Sequence, residues 1–510
     1  MGINLIKNQV TLGRIVADRI VEQPIDTEFI LPDYCPDISR MLKCRTSAKI
    51  ISKSINKNIL TLNGNVCVSI IYLDNHSKEV KSYASTVAFT KECELDEDAE
   101  NCFVSAKVGV DYLNCRVMTG RKLDLHGAVS IHYVVKSKEK TEILCEADGL
   151  GVQTKCKCCD NTAKICIGEK NIVISEDAEV AAAAGNIRCI IRGEAVSNVT
   201  ECKVVGDKAI IKGELNVFML YSSGNSGDIC KLETSIPFSQ IIDVTSVDCE
   251  NQCKAVTEVS SLELRPKIGL DGEAKVVNIN AVINANIMCS YNECVRYISD
   301  SYSTDYDLNL KKKNILLKHQ CANSIEKISI KKTVEFAENI VSVADVWCEI
   351  KNDSVKCVDN EIVLSGIVAA HMLVINASQS PLYIEKPIEF THKLNLSDVN
   401  SSHTAESVVS VLNVAYTITS ATTVELKADL NAEVLVYEVT DAQIITEVDI
   451  DQNAKKQKGE ASLIIYYSKA GEKIWDIARN YNSSVKQIMS ANSLTDDAVL
   501  SDMPLLIPII

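Results

Sequence analysis

The chain has 510 residues, of which 46% are hydrophobic, 24% charged and 5% aromatic, and its formal net charge is −15. This composition is that of a globular protein, and the length allows three or four domains of roughly 100–200 residues each. Because the excess negative charge would repel phosphate backbones, we do not expect a nucleic-acid-binding protein.

The first twenty residues lack a targeting pattern, since Lys7, Arg14 and Asp18 interrupt the apolar residues. Elsewhere no apolar run approaches the roughly 18 residues that span a bilayer, so we expect neither a signal peptide nor a transmembrane segment. Many of the 21 cysteines stand in strand-like runs, as Cys67 does. This usage favours reduced thiols in a cytoplasmic protein over a disulfide framework.

A repeat runs through most of the chain. Residues 59–72, 209–221 and 362–374 each read as a strand, a glycine and a second alternating run. The glycines are Gly64, Gly213 and Gly366, which lie 149 and 153 residues apart, and each is followed by a strand with a phenylalanine, namely Phe89, Phe238 and Phe390. A small residue at the centre of a strand indicates a close backbone approach or a kink in the strand.

A second marker has the same period. Gly127, Ala281 and Ala432 occupy matching positions 154 and 151 residues apart. Since period-two alternation dominates, we predict a mainly β fold with three tandem β-sandwich-like repeats of about 150 residues each. The expected domains are residues 14–150, 170–305 and 320–450, with connectors at 153–164 and 303–318 and a polar linker at 451–460.

The pattern changes in residues 461–510. A strand at 463–467 precedes two helical stripes, and a strand closes the segment. The first stripe is Ile474, Ile477, Ala478 and Tyr481, with the spacing of one helix face, and the second is Val485, Ile488, Met489 and Asn492. The order predicts a small α+β module of the form βααβ.

Residues 471–478, 481–485 and 506–508 resemble a LysM domain in order and spacing. The resemblance implies a shallow groove for N-acetylglucosamine polymers between the first strand–helix loop and the loop before the last strand. The candidate groove residues are Gly471, Glu472, Lys473, Ile474, Trp475, Leu494, Asp502 and Met503.

Two departures from the LysM pattern fall in this groove. Glu472-Lys473 replaces the family's usual Asp-Thr, and residues 501–504 lack the usual Pro-Gly turn. We therefore expect a groove rebuilt for a protein surface, where Trp and Met are common anchors. Trp475 has two interpretations, as a ring that covers the module's own core or as an anchor for a partner.

Residues 30–41, with Pro36-Asp37-Ile38, resemble the signature of SPOCS domains, which are repeats of endospore-forming Firmicutes. SPOCS copies ahead of a LysM domain resemble the architecture of clostridial spore coat morphogenetic proteins. The resemblance implies a scaffold in the mother-cell cytoplasm at the forespore surface, whose LysM domain binds the coat-basement ATPase SpoIVA and which meets other coat proteins. The alternative is a protein that binds peptidoglycan or cortex glycan through the LysM domain.

Catalytic constellations are not visible in the sequence. It has no phosphate-binding loop, no His-Glu-x-x-His and no Gly-x-Ser-x-Gly, so we expect neither an enzyme nor a cofactor. Cys156, Cys158, Cys159 and Cys166 could hold zinc. Their spacing departs from paired Cys-x-x-Cys, and adjacent cysteines do not readily share one tetrahedron, so we favour a thiol-rich loop between domains.

Overall fold

The computed structural model describes residues 3–10, 15–76, 79–99, 102–137, 141–181, 185–224, 228–245, 253–269, 272–358, 361–394, 402–456, 461–495 and 502–509. Most of them lie in antiparallel strands. Three sets of six strands follow one another along the chain, and a module with two helices comes last. This confirms the predicted fold class of three β-sandwich repeats and a βααβ module.

The three repeats share one topology. The first contains β2 (Ile15–Ile30), β3 (Ile38–Asn56), β4 (Ile59–Asp74), β5 (Val80–Glu94), β6 (Cys102–Val117) and β7 (Lys122–Ser137). The second contains β9 (Val152–Glu179), β10 (Ile187–Val205), β11 (Lys208–Ser223), β12 (Ile229–Asp243), β13 (Cys253–Lys267) and β14 (Val276–Ser303). The third contains β15 (Tyr306–Glu335), β16 (Ile340–Val358), β17 (Glu361–Asn376), β18 (Pro381–Leu394), β19 (His403–Ser420) and β20 (Thr423–Lys455).

Each repeat is a sandwich of two three-stranded sheets. One sheet joins the second, third and fourth strands in that order, and the other joins the first, sixth and fifth. Alternate residues of the central strands face the sandwich core, as Leu60, Leu62 and Val66 do in the first repeat. The short strands β1 (Asn4–Val10) and β8 (Thr141–Asp148) pair outside the sandwiches.

The marker glycine and the marker phenylalanine of each repeat are direct cross-strand partners. The pairs are Gly64 with Phe89, Gly213 with Phe238 and Gly366 with Phe390. The phenylalanine ring covers the glycine, so a Cβ on Gly213 would lie 2.6 Å from the Phe238 Cζ atom. Backbone of the neighbouring strand also approaches each glycine, as predicted, and the aromatic ring packed over the glycine is an additional contact.

Four strands of the second and third repeats run on beyond their sandwiches. We define the stem as residues 4–10, 141–148, 152–164, 290–303, 306–319 and 438–455, which belong to β1, β8, β9, β14, β15 and β20. These segments share buried clusters, one of which joins Ile143, Val295, Leu317 and Ile444. The stem is thus a further packed unit assembled from distant parts of the chain.

The stem contradicts the predicted connectors. Residues 153–164 lie in β9 and residues 306–318 lie in β15. The linker predicted at 451–460 is wrong for residues 451–455, which belong to β20 and run alongside the start of β15; residues 457–460 lie outside the described residues. Strand partners from far along the sequence supply the backbone hydrogen bonds that turn these polar segments into sheet.

The three sandwiches meet at one junction. Ile71, Leu220 and Leu373 each lie seven residues after the marker glycine, and all three belong to one buried cluster. Beside it the guanidinium of Arg192 donates to Asp345 of the third repeat at 2.8 and 3.0 Å. Equivalent positions of the repeats therefore face one another around a common centre.

Candidate functional site

The module that ends the chain has its own apolar core. β21 (Leu463–Ser468) pairs antiparallel with β22 (Met503–Pro508), and α1 (Ile474–Asn480) and α2 (Val485–Ala491) cover one face of this sheet. The core residues are Ile474, Ile477, Ala478, Ile488, Leu505 and Ile507. Helices of seven residues are too short to be stable alone, so this packing stabilises them.

A polar cleft of about 700 Å³ opens beside α1. It is lined by Tyr466, Gly471, Glu472, Lys473, Asp476, Ile477, Asn480 and Tyr481. Gly471 has a φ of +88°, a conformation that glycine adopts readily, and it makes the turn between β21 and α1. The structure thus places Gly471, Glu472 and Lys473 in one cleft.

Carboxylates of the module itself accept hydrogen bonds from the backbone amides at this turn. The Lys469 amide donates to Glu472 at 3.0 Å, and the Ala470 amide donates to Asp502 at 2.9 Å. Glu472 also accepts from the Tyr466 hydroxyl at 3.1 Å, and this hydrogen bond raises the pKa of Tyr466. Two neighbouring N–H groups are therefore already satisfied.

Of the other predicted groove residues, Met503 and Leu494 are partly buried against the module core and do not line the cleft. Met503 is the strand partner of Ser468, whose hydroxyl donates to the Met503 carbonyl at 2.9 Å. Leu494 is half-buried and packs on the module core. Ile474 is fully buried, so the prediction that it lines a groove is wrong.

Trp475 does not line the predicted groove, and its side chain faces the stem. Its side chain is 6% exposed, and its indole N–H donates to Asp300 at 2.9 Å. The rings of Trp475 and Tyr302 meet edge to face with centroids 5.0 Å apart. Neither interpretation of the sequence included this contact, because nothing in the sequence relates positions 175 residues apart.

The outer face of the module's sheet exposes apolar side chains. Leu463, Ile465 and Tyr467 alternate along β21 and are 50%, 61% and 76% exposed, with Leu506 beside them on β22. We call these four residues the outer face. The five consecutive apolar residues 463–467 were a signal that the sequence analysis left unused, since helices cover only one face of a two-stranded sheet.

The cysteines proposed for zinc are not brought together. Cys158 is bonded to Cys294, Cys156 donates to a backbone carbonyl, and Cys159 contacts the Tyr297 hydroxyl. All lie on the extended strand β9, where ten residues separate Cys156 from Cys166 by roughly 33 Å. The side chain of Cys166 lies outside the described residues, and among the described ones no three metal-ligating side chains form a cluster.

Four cysteines form two cross-strand pairs that the sequence did not predict. Disulfides join Cys158 to Cys294 and Cys253 to Cys289, and both link β14 to a neighbouring strand. Their pairing depends on the register of a sheet whose strands are far apart in sequence. Fifteen other described cysteines are not in disulfides.

Two known domain families match the chain. Residues 37–118 and 186–267 match the family model of the SipL, SPOCS domain, and residues 469–508 match that of the LysM domain. No curated protein and no solved structure matches the chain. The third repeat lies outside the SPOCS matches but has the same strand order as the first two.

Fold and matches define the class: tandem SPOCS sandwiches that end in a LysM domain, both families being generally non-catalytic binding domains. The chain therefore contains two SPOCS domains like those of SipL and, near its end, a LysM domain. These domains fit a sporulation-related role in which the chain binds protein or glycan. Within the described residues, no helix has both the length and the apolar character needed to cross a membrane.

Proposed function

We propose that the chain is a non-enzymatic scaffold of the spore coat. It acts in the mother-cell cytoplasm and tethers coat layers to the forespore surface, and its LysM domain binds a SpoIVA-like ATPase. The observation that carries the proposal is the outer face of the LysM sheet, where Leu463, Ile465 and Tyr467 are exposed side by side. Contiguous exposed apolar side chains are typical of protein-binding surfaces.

The cleft supports a protein partner for a second reason. An acetamido sugar would be recognised through backbone amides at the turn, and the amides of Lys469 and Ala470 already donate to Glu472 and Asp502. A glycan would have to displace two carboxylate hydrogen bonds, which are stronger than neutral ones. This cost disfavours glycan binding there.

The alternative function is binding of peptidoglycan or cortex glycan. Its support is the shape and lining of the cleft, in which Tyr466, Tyr481 and Asn480 offer rings and an amide to a sugar. Aromatic rings combined with a few polar groups are common in ligand-binding sites.

Two binding assays with the full chain separate these functions. The first measures co-sedimentation with purified peptidoglycan, and the second measures retention on immobilised SpoIVA-like ATPase. The control is a chain that ends at Lys456, which keeps β20 and lacks the LysM domain. We expect retention on the ATPase that is lost in the control. Sedimentation with peptidoglycan without retention on the ATPase would reject the scaffold proposal.

A further inference from the structure

The LysM domain is docked on the stem through α1 and the turn that follows it. Asp300 of β14 accepts hydrogen bonds from the Trp475 indole and from the Arg479 guanidinium, both at 2.9 Å. The Tyr302 hydroxyl donates to the Ser483 carbonyl at 2.7 Å. One carboxylate of the stem thus binds two side chains on successive turns of α1.

Two lysines add further contacts between the stem and the LysM domain. The Lys155 amine lies 5.6 Å from the centre of the Trp475 ring, within the range of cation–π attraction. Lys456 donates to the Ser303 carbonyl and to the Asn482 side chain, both at 2.8 Å. Lys456 therefore bonds to the stem and to the LysM domain at the same time.

The docking contact adds one residue of the stem to the core of the LysM domain. The core cluster of the domain contains one residue of the stem, Tyr302, which is 4% exposed. The other members of the cluster belong to the helices and strands of the domain itself. Loss of the polar contacts at Asp300 therefore leaves the domain its own core.

We propose that this contact is an intramolecular latch that fixes the direction in which the LysM domain presents its outer face. In this proposal Trp475 is a positioning residue whose binding partner is the stem of its own chain. The outer face lies on the side of the sheet away from the helices, so the latched domain keeps it open to solvent. The inference goes beyond the proposed function and does not depend on which partner binds.

Tryptophan fluorescence of the full chain tests the latch, because the chain has two tryptophans, Trp347 and Trp475. We expect Asp300→Ala to shift the emission to the red and to increase quenching by acrylamide. The same substitution in a Trp475→Phe chain should change neither, since the remaining Trp347 lies in the third repeat. Asp441→Ala, at an exposed carboxylate of the stem, is the matched control and should match the unsubstituted chain.

A second variant removes the other hydrogen bond to the same carboxylate, the one donated by Arg479 of the LysM domain. Arg479→Ala should give a smaller red shift, because the indole hydrogen bond to Asp300 remains. The latch would be overturned if Asp300→Ala had the same emission and quenching as the unsubstituted chain. It would also be overturned if the red shift persisted in the Trp475→Phe chain. Both readouts are taken without a partner, so failure of the proposed function leaves them unaffected.

Discussion

At the scale of single residues, the pairing of one glycine with one phenylalanine is the feature that recurs in each repeat. The sequence predicts that something approaches Gly64, Gly213 and Gly366 closely, and the structure shows that the ring of the paired phenylalanine does so. The partner could not be deduced, because a strand's register depends on its neighbours and not on its own residues.

Gly213→Ala tests this pairing. Its new Cβ would overlap the Asn198 carbonyl, which is fixed in the sheet, and the Phe238 ring. Overpacking of this kind costs about 1–3 kcal/mol, and we expect that loss in urea unfolding. Gly109→Ala is the matched control, since a Cβ there meets nothing within 4 Å. Equal stability of the two variants would show that the ring does not require glycine.

His371 makes the junction sensitive to acid. Its ring stacks on Trp347 and hydrogen-bonds to the Tyr383 hydroxyl at 2.6 Å, and burial lowers the pKa of His371 from 6.5 to about 4. Between pH 6.5 and 4, His371 is therefore protonated in the unfolded chain and neutral in the folded chain. The free energy of unfolding decreases as the pH is lowered through this range. The expected loss at pH 5 is about 2 kcal/mol relative to pH 7.

Urea unfolding at pH 7 and pH 5 measures this loss. The comparison is between the chain and His371→Asn, which removes the titrating ring. We expect the variant to lose less stability between the two pH values than the unsubstituted chain does. An identical loss in both would show that the acid sensitivity resides elsewhere.

At the scale of elements, alternation predicts that strands exist but not how far they run. The second helical stripe and the βααβ order were readable because helix-period and strand-period segments follow each other within fifty residues. The stem was not readable, because 153–164, 306–318 and 451–455 are polar enough to resemble connectors. Whether such a segment becomes strand depends on a partner more than a hundred residues away.

The candidate site shows the same limit. Gly471, Glu472 and Lys473 line one cleft, because local spacing defines the turn that carries them, and their role in binding a partner stays a prediction. Trp475 belongs to the module's core cluster, but its contact with Asp300 and Tyr302 was not predicted, because that contact joins two domains. The pattern of Leu463, Ile465 and Tyr467 predicts a strand, but it does not show which face of that strand the helices leave uncovered.

At the scale of the whole molecule, the three sandwiches and the stem form contacts that fix them together. Arg192 lies between the Phe218 ring of its own repeat and the Trp347 ring of the third, 4.5 Å from each ring centre. Arg192 and its partner Asp345 are both buried, so a buried ion pair links the second and third repeats. These contacts hold the second and third repeats together.

Asp345→Ala should loosen this junction. Removal of one partner leaves the Arg192 guanidinium buried with part of its charge unpaired, which costs about 3–5 kcal/mol for a buried pair. We expect the urea midpoint of the second and third repeats to fall. Asp243→Ala, at an exposed carboxylate paired with Lys208, is the control and should change the midpoint little. A midpoint unchanged in Asp345→Ala would show that the pair does not hold the repeats together.

The most direct test of the central claim is the affinity of the full chain for a SpoIVA-like ATPase when a charge is placed on the outer face. Ile465→Glu puts a carboxylate in the middle of that face, and Gln487→Glu puts the same charge on the exposed side of α2. We predict that Ile465→Glu weakens binding at least about tenfold, as expected for a central apolar anchor, and that Gln487→Glu leaves it unchanged. Equal affinity of the two variants would contradict the account.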